Sequence, residues 1–395
     1  MCMIFQKLNI SENSFEFKVA ISYIWVHMST STSSKSPERL LSLDFFRGAT
    51  MFLLIAEFTH LFSSLHDPSL EGSFIYAIAG QFHHHSWNGL RFWDLIQPYF
   101  MFIVGVAMPY SLANRQKRGQ SNAHITRHAI QRAFLLLFHG WALYCIGPGR
   151  IEFRFQNVLA QLAVTYILAF LVMKKPAWVQ IAFSFLLLVL TEIIYRGFWV
   201  EGFNHAFIPN ENFGTWLDLQ YGGADLNGHW VSFNAIPTTA HTIWGVLAGQ
   251  LLISQRKAGQ KLKILLIAGV IGVVVGYGLN PITPIIKRIS TTSFVIVSGG
   301  WTFLTLAFSY WLIDMKKRQK WSMFLRVVGM NPLFIYLFAH VGGAVLIESI
   351  LHPFTFALFG WMGTLTASIL TSAIVLFFLW YICQWLHKHK IYIRI

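Results

Sequence analysis

Apolar runs long enough to cross a bilayer recur along this chain, separated by short polar turns. A helix needs about 20 mostly apolar residues for one crossing. About ten runs fit: 46–65, 93–113, 129–147, 157–173, 177–196, 233–254, 262–280, 293–314, 327–350 and 363–386. In lipid, backbone polar groups must be satisfied internally, so such runs fold as helices. The pattern predicts an all-α polytopic transmembrane bundle, with residues 39–395 as a single domain. Residues 1–38 read as a disordered or mis-assigned leader. Residues 1–27 lack the basic start, apolar core and cleavage site of a signal peptide. Two readings stay open: translation starts at Met28, or a short disordered or interfacial tail precedes the bundle.

Composition agrees. Of 395 residues, 55% are hydrophobic and 12% charged, about half the charge of soluble domains. The net charge of +14 raises nucleic-acid binding as a function, but its distribution excludes it. One set of alternate loops, counted from Lys35 onward, holds 22 Lys and Arg, the other holds 6, and the remaining two, Lys7 and Lys18, lie in residues 1–27. Cytoplasmic loops carry such an excess, so both termini are expected in the cytoplasm. Three scattered cysteines, Cys2, Cys145 and Cys383, form neither a disulfide framework nor a zinc ribbon. Gly272 and Gly276, four residues apart, fit close helix packing.

Ionisable groups inside spans are costly and are functional candidates. Glu57 and His60 lie one turn apart in the first run, and Asp94 opens the second. His139, Glu192, His241, His340 and Glu348 sit in later ones, where a lone His more often makes an interhelical hydrogen bond. The outer loop 197–232 combines aromatic rings with Asn and Asp, suited to a sugar or to an interfacial belt. The densest polar cluster runs from Phe82 through His83-His84-His85-Ser86-Trp87-Asn88 to Asp94. A metal needs ligands from elsewhere, because adjacent helical side chains point about 100° apart; no metal is expected. The other reading is a general base or nucleophile oriented by a carboxylate.

Several segments resemble the transmembrane heparan-alpha-glucosaminide N-acetyltransferases and their bacterial amino-sugar acetyltransferase relatives. Arg39-Leu-Leu-Ser-Leu-Asp44-Phe-Phe-Arg47-Gly48 is similar to their R-L-x-S-x-D-x-F-R-G opening. His84-His-Ser-Trp-Asn88-Gly89-Leu, Asp94-Leu-Ile-Gln-Pro98 through Gly105, Pro284-Ile-Ile-Lys287 through Val295, Gly245 to Gly249, and Gly329-Met-Asn331 through Tyr336 follow in order. Four segments depart from the family, one of them at Ser290, which stands where its P-x-x-K-x-x-W stretch has Trp. Ala160 stands where its V-L-Q-R-L motif has Gln, and Gln161 where that motif has Arg. Glu57 and Phe58 fall where an Asn is usual, and Asn227-Gly-His-Trp replaces an acidic turn.

The resemblance implies acetyl transfer from cytosolic acetyl-CoA to the amine of a glucosamine-type sugar on the outer, periplasmic side, in the bacterial inner membrane. It makes His84 the catalytic residue. On that reading Asp94 or Asn88 orients the ring, and Lys287 or Asn331 stabilises the oxyanion. Glu57, an ionisable group inside the first run and not a family match, is assigned to the substrate site on that ground. Arg47, Lys117, Arg118, Arg127 and Arg132 meet the phosphates of the acyl donor. The expected partners are an amino-sugar or glycan acceptor and the lipid bilayer, with a homodimer left open. The alternatives are an acyltransferase for a cell-envelope glycan and a sugar or proton-coupled transporter without chemistry. No repeat between 46–196 and 233–386 supports a transporter.

Overall fold

A computed structural model describes residues 40–393, so the leader lies outside the described residues. Within them the chain is helical, with no strand and one isolated antiparallel bridge, Asn88 to Ile286. Helix α1 (Leu41–Glu57) stops where His60 turns left-handed at φ 59°, and short α2 (Leu61–Leu65) and α3 (Phe74–Gly80) follow. A 3-10 turn, Phe92–Leu95, leads into α4 (Ile96–Lys117). Next come α5 (Asn122–Ile146), α6 (Val158–Val172), α7 (Ala177–Gly197) and α8 (Phe213–Gln220). The second half holds α9 (Ala235–Ile253), α10 (Ala258–Gly278) and α11 (Thr292–Ser309), the last extended by a π-helical turn to Met315. Short α12 (Met323–Val328) and α13 (Pro332–Phe338) precede α14 (Ala344–Phe359) and α15 (Thr364–Lys388).

Seven helical segments among the described residues are long and apolar enough to cross a membrane, fewer than the ten runs expected. The other three runs are also helical, but they differ in kind. Helix α1 is 17 residues and α6 is 15. Helix α9 packs against α4, α6, α7 and α11. There it buries Thr238, Thr239, His241 and Thr242 completely. The Thr238 and Thr239 hydroxyls bond back to carbonyls one turn earlier, and His241 Nε2 lies 3.0 Å from Val295 O and Ser298 Oγ. A helix walled by protein can carry polar groups that a lipid-facing one cannot.

Small residues set the close contacts. A Cβ on Gly105 would overlap the Thr242 carbonyl of α9, and one on Gly276 would overlap Val297 of α11. Several aromatic rings of loop 197–232 pack on one another and on Phe233. Phe213 packs edge to face on Phe198 and Phe233, Trp216 packs at a tilt on Phe198, and Asn212 caps α8 through Thr215 N. Trp230 is the ring from this loop that faces the cavity described next.

Candidate active site

Four loops meet at one end of the bundle around a cavity of about 270 Å³. Asp94 sits in the 3-10 turn that starts the second span. There a carboxylate is favoured by exposed backbone N–H groups. Its Oδ2 accepts from Arg91 N at 2.9 Å and His85 N at 3.2 Å, and its Oδ1 lies 3.0 Å from His84 Nδ1. Ionised Asp94 is acceptor-only, so the hydrogen of the imidazole belongs on Nδ1. The lone pair is then on Nε2, which has no protein partner among the described residues on a ring that lines the cavity.

Lys287 comes from the turn between α10 and α11. Asn88 fixes that turn: its Oδ1 accepts from Ile285 N at 3.1 Å, and Gly89 N donates to Ile285 O at 2.8 Å. Thr291 and Ser293 close it through Pro284 O. The clasp brings buried Lys287 Nζ to 3.1 Å from His84 Nδ1 and 3.6 Å from Asp94 Oδ1, with Trp93 O at 3.4 Å. With Nδ1 protonated, the ammonium directs its hydrogens to Asp94 and the Trp93 carbonyl. Burial, and then the Lys287 ammonium, push the His84 imidazole down to about 4, against the pull of Asp94. Burial pushes Lys287 down to about 8, against the carboxylates of Asp94 and Glu57. At neutral pH the site therefore holds an uncharged imidazole beside a charged ammonium, the states needed by a nucleophile and an oxyanion partner.

Aromatic and amide groups shape the rest. The Trp230 ring meets His84 edge to face at 5.4 Å, with Lys287 and Arg288 within 6 Å of its face. Buried Asp218 anchors this loop by accepting from Ser232 N at 2.9 Å and Gln156 Nε2 at 2.8 Å. Gln161 donates to Gln156 O at 2.7 Å and accepts from Gln97. Glu57 ends α1 at the cavity, where its Oε1 accepts from Trp93 Nε1 at 3.1 Å. The lining continues from Trp93 in the 3-10 turn to Ile96, Gln97 and Phe100 in the first turns of α4.

The structure thus brings together His84, Asp94, Lys287 and Glu57. Asn88 joins them as the clasp between loops, while the ring is oriented by Asp94. His83 and His85 go elsewhere: His83 Nδ1 bonds Ala79 O, and the His85 ring packs on Gly89. Asn331 is not at this site. Its side chain donates to Ile391 O at 2.9 Å and accepts from Ile393 N at 2.8 Å, tying the C-terminal tail to α13. The five basic candidates lie towards the opposite end. Lys117 is about 34 Å along the helix from Asp94, and Arg127 about 25 Å from cavity-lining Tyr144. Arg47 pairs with Asp44 at 3.5 Å, and the Arg132 guanidinium sits over Tyr166 at 5.0 Å. Buried Met51, Met101 and Met108 stand between the two ends.

Sequence places Trp230 among the rings of loop 197–232 and Trp93 in the polar cluster that ends at Asp94, but gives neither ring a place at the cavity and gives Gln97 and Gln156 no role. A Trp near a His in a polar loop is a weak signal, and buried glutamines in a span are one only when their partners are known.

The family model described as heparan-alpha-glucosaminide N-acetyltransferase, catalytic, matches residues 39–283. That range includes Glu57, His84 and Asp94 and ends just before Lys287. The heparan-alpha-glucosaminide N-acetyltransferase of Mus musculus is 33% identical over 140 residues, and that of Homo sapiens 34% over 138. Each alignment covers 34% of this chain and 19% of the relative, so the chain matches about a fifth of the length of these curated proteins. On the extent of that family match, the chain belongs to the heparan-alpha-glucosaminide N-acetyltransferase catalytic family.

Proposed function

We propose that this chain is a transmembrane acyltransferase that moves an acetyl group from acetyl-CoA to the amine of a glucosamine-type sugar. The observation that carries this reading is the uncharged His84 imidazole, held through Nδ1 by Asp94 at a cavity with its Nε2 free. His84 Nε2 attacks the thioester carbonyl carbon and takes the acetyl group. Asp94 supports the positive charge that develops on the ring, and Lys287 meets the negative charge on the carbonyl oxygen. Base catalysis alone gives about 10²–10⁴-fold, so holding both substrates in the cavity supplies much of the rest.

Arg47, Lys117, Arg118, Arg127 and Arg132 hold the donor's phosphates at the opposite end. The side chains of Met51, Met101 and Met108 rotate to admit the pantetheine arm, since unbranched thioethers repack readily. The charge pattern supports cytoplasmic termini: helix ends bearing Lys117, Lys174, Arg256 and Lys388 point away from the cavity, and Lys174 Nζ reaches Asn122 at 2.9 Å there. His84 then faces the outer side of a bacterial inner membrane. The test is incubation of the purified chain with labelled acetyl-CoA and glucosamine. Labelled N-acetylglucosamine supports the reading; sugar binding with no transfer favours a carrier.

A further inference from the structure

We propose that Glu57 is the acceptor-amine site: its carboxylate binds the sugar ammonium and takes the proton that must leave before the nitrogen can attack. This rests on the acyltransferase reading and deepens it.

The need comes from proton balance. When His84 Nε2 attacks the thioester, the C–N bond forms, the C–S bond breaks and its electron pair leaves on the CoA sulfur, which solvent protonates. From then on Nε2 is bonded to the acetyl carbon and cannot serve as a base. The incoming amine is an ammonium near neutral pH and has no lone pair until it loses a proton. A second proton acceptor inside the cavity is required. Asp94 is buried and already occupied by His84, His85 N and Arg91 N. Lys287 is cationic and repels an ammonium.

Glu57 meets the requirement. It lines the same cavity as His84 and is accessible there. The end of α1 at this residue, followed by the left-handed turn at His60, sets the side chain at the helix terminus. One oxygen, Oε1, is held by Trp93 Nε1 at 3.1 Å. Among the described residues Oε2 has no protein partner, which leaves it for a ligand. Trp93 is adjacent to Asp94 in sequence, so the residue that positions Glu57 is tied to the one that positions His84. In the second half-reaction one ammonium proton moves to Glu57 Oε2. The amine nitrogen attacks the acetyl carbon, the C–Nε2 bond breaks with its pair returning to His84, and Nε2 takes the remaining proton. Both protons then pass to water.

The test uses the full chain in detergent, comparing wild type with Glu57→Gln and Glu57→Asp. Three quantities are read: acetyl label on protein without acceptor, glucosamine binding by calorimetry without acetyl-CoA, and discharge of the label by glucosamine or by hydroxylamine, which is uncharged at neutral pH. For Glu57→Gln, labelling is expected to persist and glucosamine discharge to fall about 100-fold. Glucosamine binding weakens roughly tenfold, while hydroxylamine discharge stays near wild type. Glu57→Asp recovers part of the glucosamine rate. Equal loss of discharge by both nucleophiles, or wild-type glucosamine transfer by Glu57→Gln, overturns the assignment while leaving the acyltransferase reading intact. A wild-type chain that neither labels nor transfers overturns both.

Discussion

Lys287 Nζ lies 3.1 Å from His84 Nδ1 although 203 residues separate the two in sequence. The contact couples their charge states. Transfer needs His84 uncharged, so the rate falls as pH drops towards about 4, where the ring gains a proton. It needs Lys287 charged, so the rate falls again as pH rises through about 8. A neutral Lys287 amine also competes with Asp94 for the Nδ1 hydrogen. For acetylation of the protein without acceptor, the step that does not use Glu57, the expected rate profile is a plateau between these limits. Replacing Lys287 by Met should remove the alkaline limb and shift the acid limb upward, because the neighbouring positive charge is gone. A pH–rate series on both proteins checks this.

Asp94 keeps the hydrogen on Nδ1. Asp94→Asn can offer an amide N–H to the ring and so favour the wrong tautomer. The turnover number is expected to fall by about 10²–10⁴-fold, with little change in acetyl-CoA affinity. Steady-state kinetics together with a binding titration separates the two.

Asn88 acts at a distance from the chemistry, through the turn that carries Lys287. Asn88→Ala removes one of two acceptors of Ile285 N, which keeps Asn280 Oδ1 at 2.9 Å, so the cost is below about 1 kcal/mol. A lower thermal midpoint is expected, with transfer reduced because Lys287 is no longer held beside His84. Thermal unfolding in detergent and transfer assays on the same preparation check both effects.

On the proposed function, the basic residues away from the cavity bind the donor's phosphates. Arg127→Ala and Arg132→Ala should raise the KM for acetyl-CoA about tenfold while leaving kcat nearly unchanged, the loss of one charge-assisted contact each. Acetylpantetheine lacks the nucleotide phosphates and should be used equally well by wild type and variants. Parallel kinetics with the two donors decides the point.

Much of this site is legible in the sequence, for physical reasons. His84 and Asp94 are ten residues apart, and an ionisable cluster beside an apolar span is costly enough to stand out. Glu57 stands out for the same reason. Lys287 carries no such mark in composition; it enters through the family resemblance, and the clasp from Asn88 explains its place. Asn331 comes from an equally good motif match, yet it serves the C-terminal tail at the other end. A motif records that a residue is needed, not which end of a helix it faces. The amide chain of Gln97, Gln161 and Gln156 is legible only in three dimensions, because each partner lies on a different element. The number of spans is less legible for a related reason: α9 reads as a crossing in the sequence, yet it buries four polar residues among its neighbours, with His241 bonded to α11 and the Thr238 and Thr239 hydroxyls bonded within their own helix.

The most direct measurement is acetyl transfer to glucosamine by purified His84→Ala beside wild type, both confirmed as folded by their elution and helical circular dichroism. The expected result is loss of transfer to background in the variant with fold retained. Transfer by His84→Ala at the wild-type rate would contradict the role of this imidazole and, with it, the account of the cavity as an acyl-transfer site.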